Sequence, residues 1–233
     1  MISVRETVSC DSCLKGSHHL FRHLNETELR EIMLNITTEI HKRGSIVYRE
    51  GQRKKGFHCV QSGIVKIYKT GFDGKEQIIR FAKPGDIVGY RSLLSDEPAC
   101  TTTQILEDAV LCHIPKEFLI KLVRTNGDFA VELIKLTCKE LGEANSYLTN
   151  IAQKTVRERL AEVLIHLDQE FESDPEGILG ITLTREELSN VVGTATESII
   201  RLLSEFRGDG LIGLKGRKIK ILDKPGLRSI ANI

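Results

Sequence analysis

The chain has no apolar run approaching the roughly 20 residues that span a bilayer, and Met1 to Cys10 has no signal-peptide apolar core. A cytoplasmic protein with no membrane partner is therefore expected. An excess of charge of one sign is also missing: 33 Lys and Arg stand against 32 Asp and Glu, a formal net charge of +1. Indiscriminate polyanion binding needs such an excess, so any nucleic-acid contact has to come from a local patch. The six cysteines are unevenly spread and lack the dense spacing of a secreted disulfide scaffold, which agrees with a reducing compartment. A cupin-like metalloenzyme would need clustered histidines with a carboxylate. Here His58 and His113 stand far apart in sequence and form no closely spaced pair.

With 233 residues and 40 % hydrophobic composition the chain can build two modest domains. Between Glu39 and Pro115 apolar residues fall at every second place, broken at Gly63, Gly71, Asp73-Gly74 and Pro84-Gly85. That pattern predicts short antiparallel strands in a double-stranded β-roll. From Asn126 the period turns helical. Ile134, Leu141 and Leu148 repeat every seven residues, and Ala130, Thr137, Ala144 and Ile151 form the complementary row. Such rows suit a two-stranded coiled coil, hence a homodimer; the alternative is a helix packed only on its own roll. A hinge near Gln153–Thr155 leads to a helix whose core face is Val156, Leu160, Val163, Leu164 and Leu167. A loop around Asp174-Pro175 then precedes a short strand. The expected fold is α+β: a sensor roll over 1–125, a dimerisation helix over 126–153 and a winged helix-turn-helix over 154–233.

The third part centres on Leu183 to Phe206. Thr184 with Glu187 is a capping-box start, followed by Leu188, Val191 and Val192 on one face. Gly193 permits the left-handed turn between two crossed helices, and Thr194 with Glu197 repeats the capping-box spacing. Ile199, Leu202, Leu203 and Phe206 then fall at i, i+3, i+4 and i+7, leaving Thr194, Glu197, Ser198 and Arg201 on the opposite face. In a helix-turn-helix the start of the second helix meets base edges in the major groove. A carboxylate accepts from a cytosine amine, and a guanidinium forks onto guanine. Glu197 otherwise serves the cap and pairs with Arg201 on a solvated surface. Beyond it, Leu211–Leu214 and Lys218–Leu222 read as a β-hairpin wing. From Arg201 to Arg228 basic residues outnumber acidic ones by more than two to one, as phosphate contacts require. Arg185, Thr194, Thr196, Glu197, Ser198, Arg201 and Lys218 are the candidate DNA contacts.

The stretch GTATESIIRLLSEFRGDGLI closely resembles the recognition helix of the CRP/FNR transcription regulators. There, a Glu and an Arg four apart read a TGA-like core of a palindromic half-site. The position before Glu197 is Thr196 rather than the Arg of the CRP branch. Ile200 stands where the FNR branch has Ser, so the flanking bases do not carry over. The resemblance extends over nearly the whole chain. It implies a cyclic-nucleotide-binding-like roll, a dimer acting on double-stranded DNA, and RNA polymerase as a further partner. The family's cyclic-AMP binders hold ribose and phosphate with Gly-Glu and Arg-Ser pairs. The corresponding residues here are Gly89-Tyr90 and Ala99-Cys100, so cyclic AMP is not expected. Arg91 either faces an anionic ligand in that pocket or pairs with Asp86 or Asp96.

FNR proteins hold an oxygen-labile iron–sulfur cluster on three N-terminal cysteines and a distant fourth. Cys10 and Cys13 match the first two and His19 takes the third place. Cys112, in VLCHIP, matches the fourth. Histidine can replace cysteine on iron, as in Rieske centres. The other readings of these residues are zinc, a Cys10–Cys13 redox pair, or a Cys112 that is only a buried small hydrophobe. The expected function is sequence-specific transcription regulation with no enzymatic step, with DNA affinity set allosterically from the roll. The rivals are a sensor whose helix-turn-helix contacts a protein, and a cupin-like metalloprotein.

Overall fold

The computed structural model describes residues 20–233. A 3-10 turn at Phe21–His23 leads into α1 (Glu26–Asn35), which starts on a complete capping box. The Asn25 side chain accepts the Glu28 N–H at 2.9 Å, and the Glu28 carboxylate accepts the Asn25 N–H at 2.9 Å. The strands are β1 (Thr37–His41), β2 (Ile46–Tyr48), β3 (Gly56–Thr70), β4 (Glu76–Ala82), β5 (Ile87–Val88) and β6 (Thr102–Pro115). Helix α2 (Tyr90–Leu94) lies between β5 and β6, and α3 (Lys116–Thr125) follows β6. The sheet order is β1-β6-β3-β4, with β2 paired to β6 and β5 to β3.

Alternation along the two long strands feeds two cores. Phe57, Cys59, Cys112 and Ile114 enter one with Tyr90 and Phe129, while Val60 and Leu111 enter the other with Tyr48 and Ile105. Register slips on β3 at Val60/Ser62 and Ile64/Val65 bend the pairing with β6, as bulges do.

That register overturns the expectation for the histidines. His58 lies directly opposite His113, with ring centroids 5.1 Å apart, because β3 and β6 bring residues 55 positions apart into one pair. His58 Nε2 is 3.6 Å and His41 Nε2 3.0 Å from a Glu39 carboxylate oxygen. Even so, no group of three or more His, Cys, Asp or Glu among the described residues is placed to hold a metal.

Burial pushes the His58 imidazole down to about 4, and the hydrogen bond from His58 holds Glu39 down to about 2. Unfolded, these groups titrate near 6.5 and 4.5, so the unfolded chain takes up protons first. The stability they contribute is full above pH 6.5 and is lost as pH falls, first through His58 toward 4 and then through Glu39 toward 2. The urea-unfolding midpoint is expected to fall on acidification from pH 7 to pH 4. His58→Gln should remove the upper part of that fall; an unchanged profile would contradict the assignment.

The next helix, α4 (Gly127–Gln153), buries Phe129 and Leu133 in the roll core. Its heptad row stays open: Ile134, Leu141 and Leu148 are 61, 61 and 66 % exposed. The chain divides into two compact units inside this helix, with Thr70–Ile78 and Gly142–Ile233 forming the second unit. No described helix is long and apolar enough to cross a membrane.

In the second unit, α5 (Val156–Phe171) starts on a capping box of Thr155 and Glu158, two residues after α4 ends. It is followed by α6 (Arg185–Val192), α7 (Thr196–Gly208), β7 (Ile212–Lys215), β8 (Lys218–Ile221) and α8 (Lys224–Ala231). Leu160, Leu164, Leu188, Ile199, Leu203, Phe206 and Leu227 are buried to 1 % exposure or less and make the core. The short strand expected after Asp174-Pro175 is reduced to two isolated bridges, Ser173 to Leu179 and Ile178 to Lys220.

Candidate nucleic-acid interface

Helix α6 ends where the chain takes a left-handed turn at Gly193, φ 72°, whose N–H donates to the Ser189 carbonyl at 2.9 Å. The Arg159 guanidinium holds this turn from α5. Its Nε donates to the Val192 carbonyl at 3.1 Å, Nη2 to Gly193 at 3.3 Å and Nη1 to Lys154, beside the hinge, at 2.8 Å. The sequence offered no sign of this residue, because an arginine on an amphipathic helix looks like any solvated charge.

The start of α7 differs from expectation. Its N-cap is Ala195, with no side-chain cap bond, and the Thr194 N–H donates to the Ser189 carbonyl at 3.1 Å. Thr194 and Glu197 therefore form no capping box, and Glu197 stands exposed in the first turn. The Thr196 hydroxyl lies 3.1 Å from that of Ser189, turned toward α6, and Ser198 is half-buried. Arg201 is 71 % exposed at its side chain, with Nη1 3.8 Å from Glu205 one turn further on, so the pair expected with Glu197 is instead Arg201–Glu205. An exposed pair of that kind contributes about 0–1 kcal/mol and leaves the guanidinium available. The opposite face of α7 is fully packed, with Ile199 and Phe206 inaccessible.

The wing runs beside a turn at Gly216, φ 61°, with Lys215 paired to Lys218 across it. Lys215, Arg217 and Lys218 are exposed. Arg185 is half-buried, and its Nη2 donates to the Gly216 carbonyl at 3.0 Å. This residue braces the wing against the start of α6.

In the roll, Gly89, Tyr90, Arg91, Ala99 and Cys100 come together around one cavity of about 20 Å³, with Tyr48, Ile67, Arg80, Ser92 and Thr101. Arg91 pairs with neither Asp86 nor Asp96. Its Nε lies 3.6 Å from Glu140 of α4, a partner that folding supplies from 49 positions along the chain. Lys54 stacks on the Tyr48 ring, Nζ 3.3 Å from its centroid, and burial lowers its ammonium to about 7. Gly89 holds φ 81°, the left-handed region that favours glycine, and a Cβ there would displace the Lys54 ammonium.

Cys10, Cys13 and His19 lie outside the described residues. Cys112 is fully buried opposite Cys59, its Sγ 3.7 Å from Gln61 Oε1. It shares a core with Leu20, Phe21 and Leu24, so the chain immediately after His19 packs into the cluster that contains the fourth candidate ligand.

A β-roll, a long helix with an open heptad row, and a winged helix-turn-helix with one polar exposed face define a DNA-binding transcription regulator. Residues 39–126 match the cyclic nucleotide-binding domain and residues 158–230 the Crp-like helix-turn-helix domain. The chain belongs to the CRP/FNR family of transcription regulators. It is 27 % identical over 231 residues to the fumarate and nitrate reduction regulatory protein of Vibrio cholerae, covering 97 % of this chain and 91 % of that one. A putative CRP/FNR-family regulator from Eubacterium rectale has the same fold at TM-score 0.75 and 22 % identity, over 92 % of this chain and 98 % of that one. FixK2 from Bradyrhizobium japonicum gives TM-score 0.74 at 23 % identity, over 84 % and 96 %.

Proposed function

We propose that this chain is a cytoplasmic homodimer that binds a palindromic DNA site with a TGA-like core, and that Glu197 and Arg201 read the bases. One observation carries the reading: on the side of α7 opposite Ile199 and Phe206, Glu197 stands outside any cap and Arg201 is 71 % exposed, with Ile200, 52 % exposed, beside them. Two such helices, related by a two-fold axis through paired α4 helices, would enter successive major grooves about 34 Å apart. RNA polymerase is the partner through which binding affects transcription. No covalent step belongs to this mechanism. An input at the roll that favours one packing of α4 shifts operator affinity, and DNA reciprocally favours that input state.

The test is a gel shift with a TGA-containing palindrome against a scrambled duplex at fixed salt. Equal affinity for the two would remove the sequence-specific reading, and with it the preference over a protein-binding role for the helix-turn-helix. Lys218→Ala is expected to weaken both duplexes alike and to reduce the salt slope by about 1.8, roughly 0.9 for the phosphate neutralised by each of the two subunits. A selective loss on the palindrome would reassign Lys218 to base reading.

The input follows from which ligands the chain holds. The residues at the cyclic-AMP contact positions, Tyr90 and Cys100, offer no charge to a ribose or phosphate, so cyclic AMP is not the effector. Cys10, Cys13, His19 and Cys112 supply the donor types of an iron–sulfur cluster. If they hold one, anaerobically purified protein is coloured and carries iron and sulfide, and Cys112→Ser loses both. Colourless protein that binds its operator leaves the roll cavity as the input.

A further inference from the structure

The last carbonyls of a helix have no donor within it, and at the end of α6 each has found one elsewhere. Ser189 accepts from the N–H groups of Gly193 and Thr194, and Arg159 serves Val192 and Gly193. The carbonyls of Asn190, Val191 and Thr194 are met from the tip of the β3–β4 hairpin, Thr70–Ile78, which belongs to the second unit. The Gln77 amide donates to Asn190 at 2.5 Å and to Val191 at 3.4 Å, and Lys75 Nζ donates to Thr194 at 2.6 Å. The tip is itself stiffened. The Gly71 N–H donates to the Lys75 carbonyl at 2.8 Å, and the Asp73 carboxylate accepts the Lys75 N–H at 3.2 Å. Lys75 is thus held, from 119 positions away in sequence, against the residue just before the Ala195 cap of α7. For that bond alone a neutral amide suffices, as Gln77 shows at Asn190. An ammonium has three N–H groups, Thr194 takes one, and among the described residues no carboxylate pairs with this exposed side chain. The start of the second helix is where a helix-turn-helix meets DNA, and lysines and backbone N–H groups there are the usual partners of phosphate oxygens.

We propose that Lys75 is a DNA phosphate contact supplied by the β3–β4 hairpin, so that the DNA-binding surface includes a residue outside the winged helix-turn-helix. The proposal rests on the DNA reading above and adds to α7 and the wing a third place where the backbone is held. Gln77 fixes the hairpin tip on the last carbonyls of α6, so Lys75 keeps its place beside the start of α7 whichever bases Glu197 and Arg201 read. Such a contact raises affinity without adding sequence preference, and a dimer carries two of them.

The test measures the affinity of the full chain for the palindrome and for a scrambled duplex over a range of salt. Lys75→Gln is expected to weaken both alike and to lower the salt slope by about 1.8, roughly 0.9 for each subunit. The ratio of wild-type to variant affinity should then fall about twelvefold between ~50 and ~200 mM salt. Lys75→Arg keeps the charge and should keep the slope. Replacing half-site phosphates one at a time by neutral methylphosphonates should reveal a position that matters to wild type and not to Lys75→Gln. An unchanged slope in Lys75→Gln, a slope lowered equally in Lys75→Arg, or the absence of such a position overturns the proposal. A loss confined to the palindrome also overturns it and makes Lys75 only a brace for the turn. Should Lys75→Gln fail to fold, wild type answers by another readout: operator DNA should protect Lys75 from acetylation relative to Lys42 of the roll, whose side chain is 81 % exposed. Equal protection of the two would overturn the proposal. Wild type that fails to prefer the palindrome defeats the sequence-specific reading; a clear preference with an unchanged slope in Lys75→Gln defeats this proposal alone.

Discussion

Leu141→Arg is expected to convert the protein to a monomer and to lower its affinity for a palindromic operator by at least a hundredfold. The side chain is 61 % exposed on the single chain and sits in line with Ile134 and Leu148, so an arginine there costs the isolated fold little. In a two-stranded helical interface the same residue faces its own copy across the two-fold axis. Burying an unpaired charge there costs several kcal/mol, more than the roughly 2.7 kcal/mol that a hundredfold requires. Each monomer would still present one recognition helix, so weak binding to a half-site should remain. Sedimentation equilibrium checks the assembly and a gel shift checks the operator. A variant that remains dimeric would place the interface elsewhere and leave the exposed row unexplained.

Arg201→Ala should cost about 1–3 kcal/mol per half-site, hence about 2–6 kcal/mol on the palindrome where both subunits lose the contact, while scrambled DNA loses only the effect of one positive charge per subunit. The fold should be indifferent, since within the protein Arg201 makes only a 3.8 Å surface pair with Glu205. Competition gel shifts with single-base changes in the half-site show the difference, because the variant should no longer distinguish the guanine that the wild type selects. If Arg201→Ala and Lys218→Ala weakened both duplexes in parallel, both residues would be phosphate contacts, and base reading would have to come from elsewhere on α7.

What could be foreseen from the residues was what local physics decides. Gly193 had to mark a turn because it can take positive φ, and Thr184 with Glu187 had to open a helix because that spacing satisfies two orphan N–H groups. The apolar positions of α7 and the heptad row of α4 followed from periodicity in the same way. Features set by tertiary pairing were not legible. His58 and His113 meet through strand register, and Glu140 reaches Arg80 and Arg91 only once α4 lies along the roll. The Ala195 cap defeated a correct local rule: Thr194 has the right chemistry, but the turn had already committed its backbone to Ser189. Arg159 gave no signal, since its three carbonyl partners converge only after α5 and α6 have packed.

The measurement closest to the central claim varies the spacing between half-sites. Affinity is compared, at one salt concentration, for a palindrome whose two TGA-like cores lie one helical turn apart and for the same cores moved by half a turn. A dimer with two outward-facing α7 helices about 34 Å apart should bind the first tightly and the second little better than scrambled DNA. Equal affinity for both spacings would contradict the account.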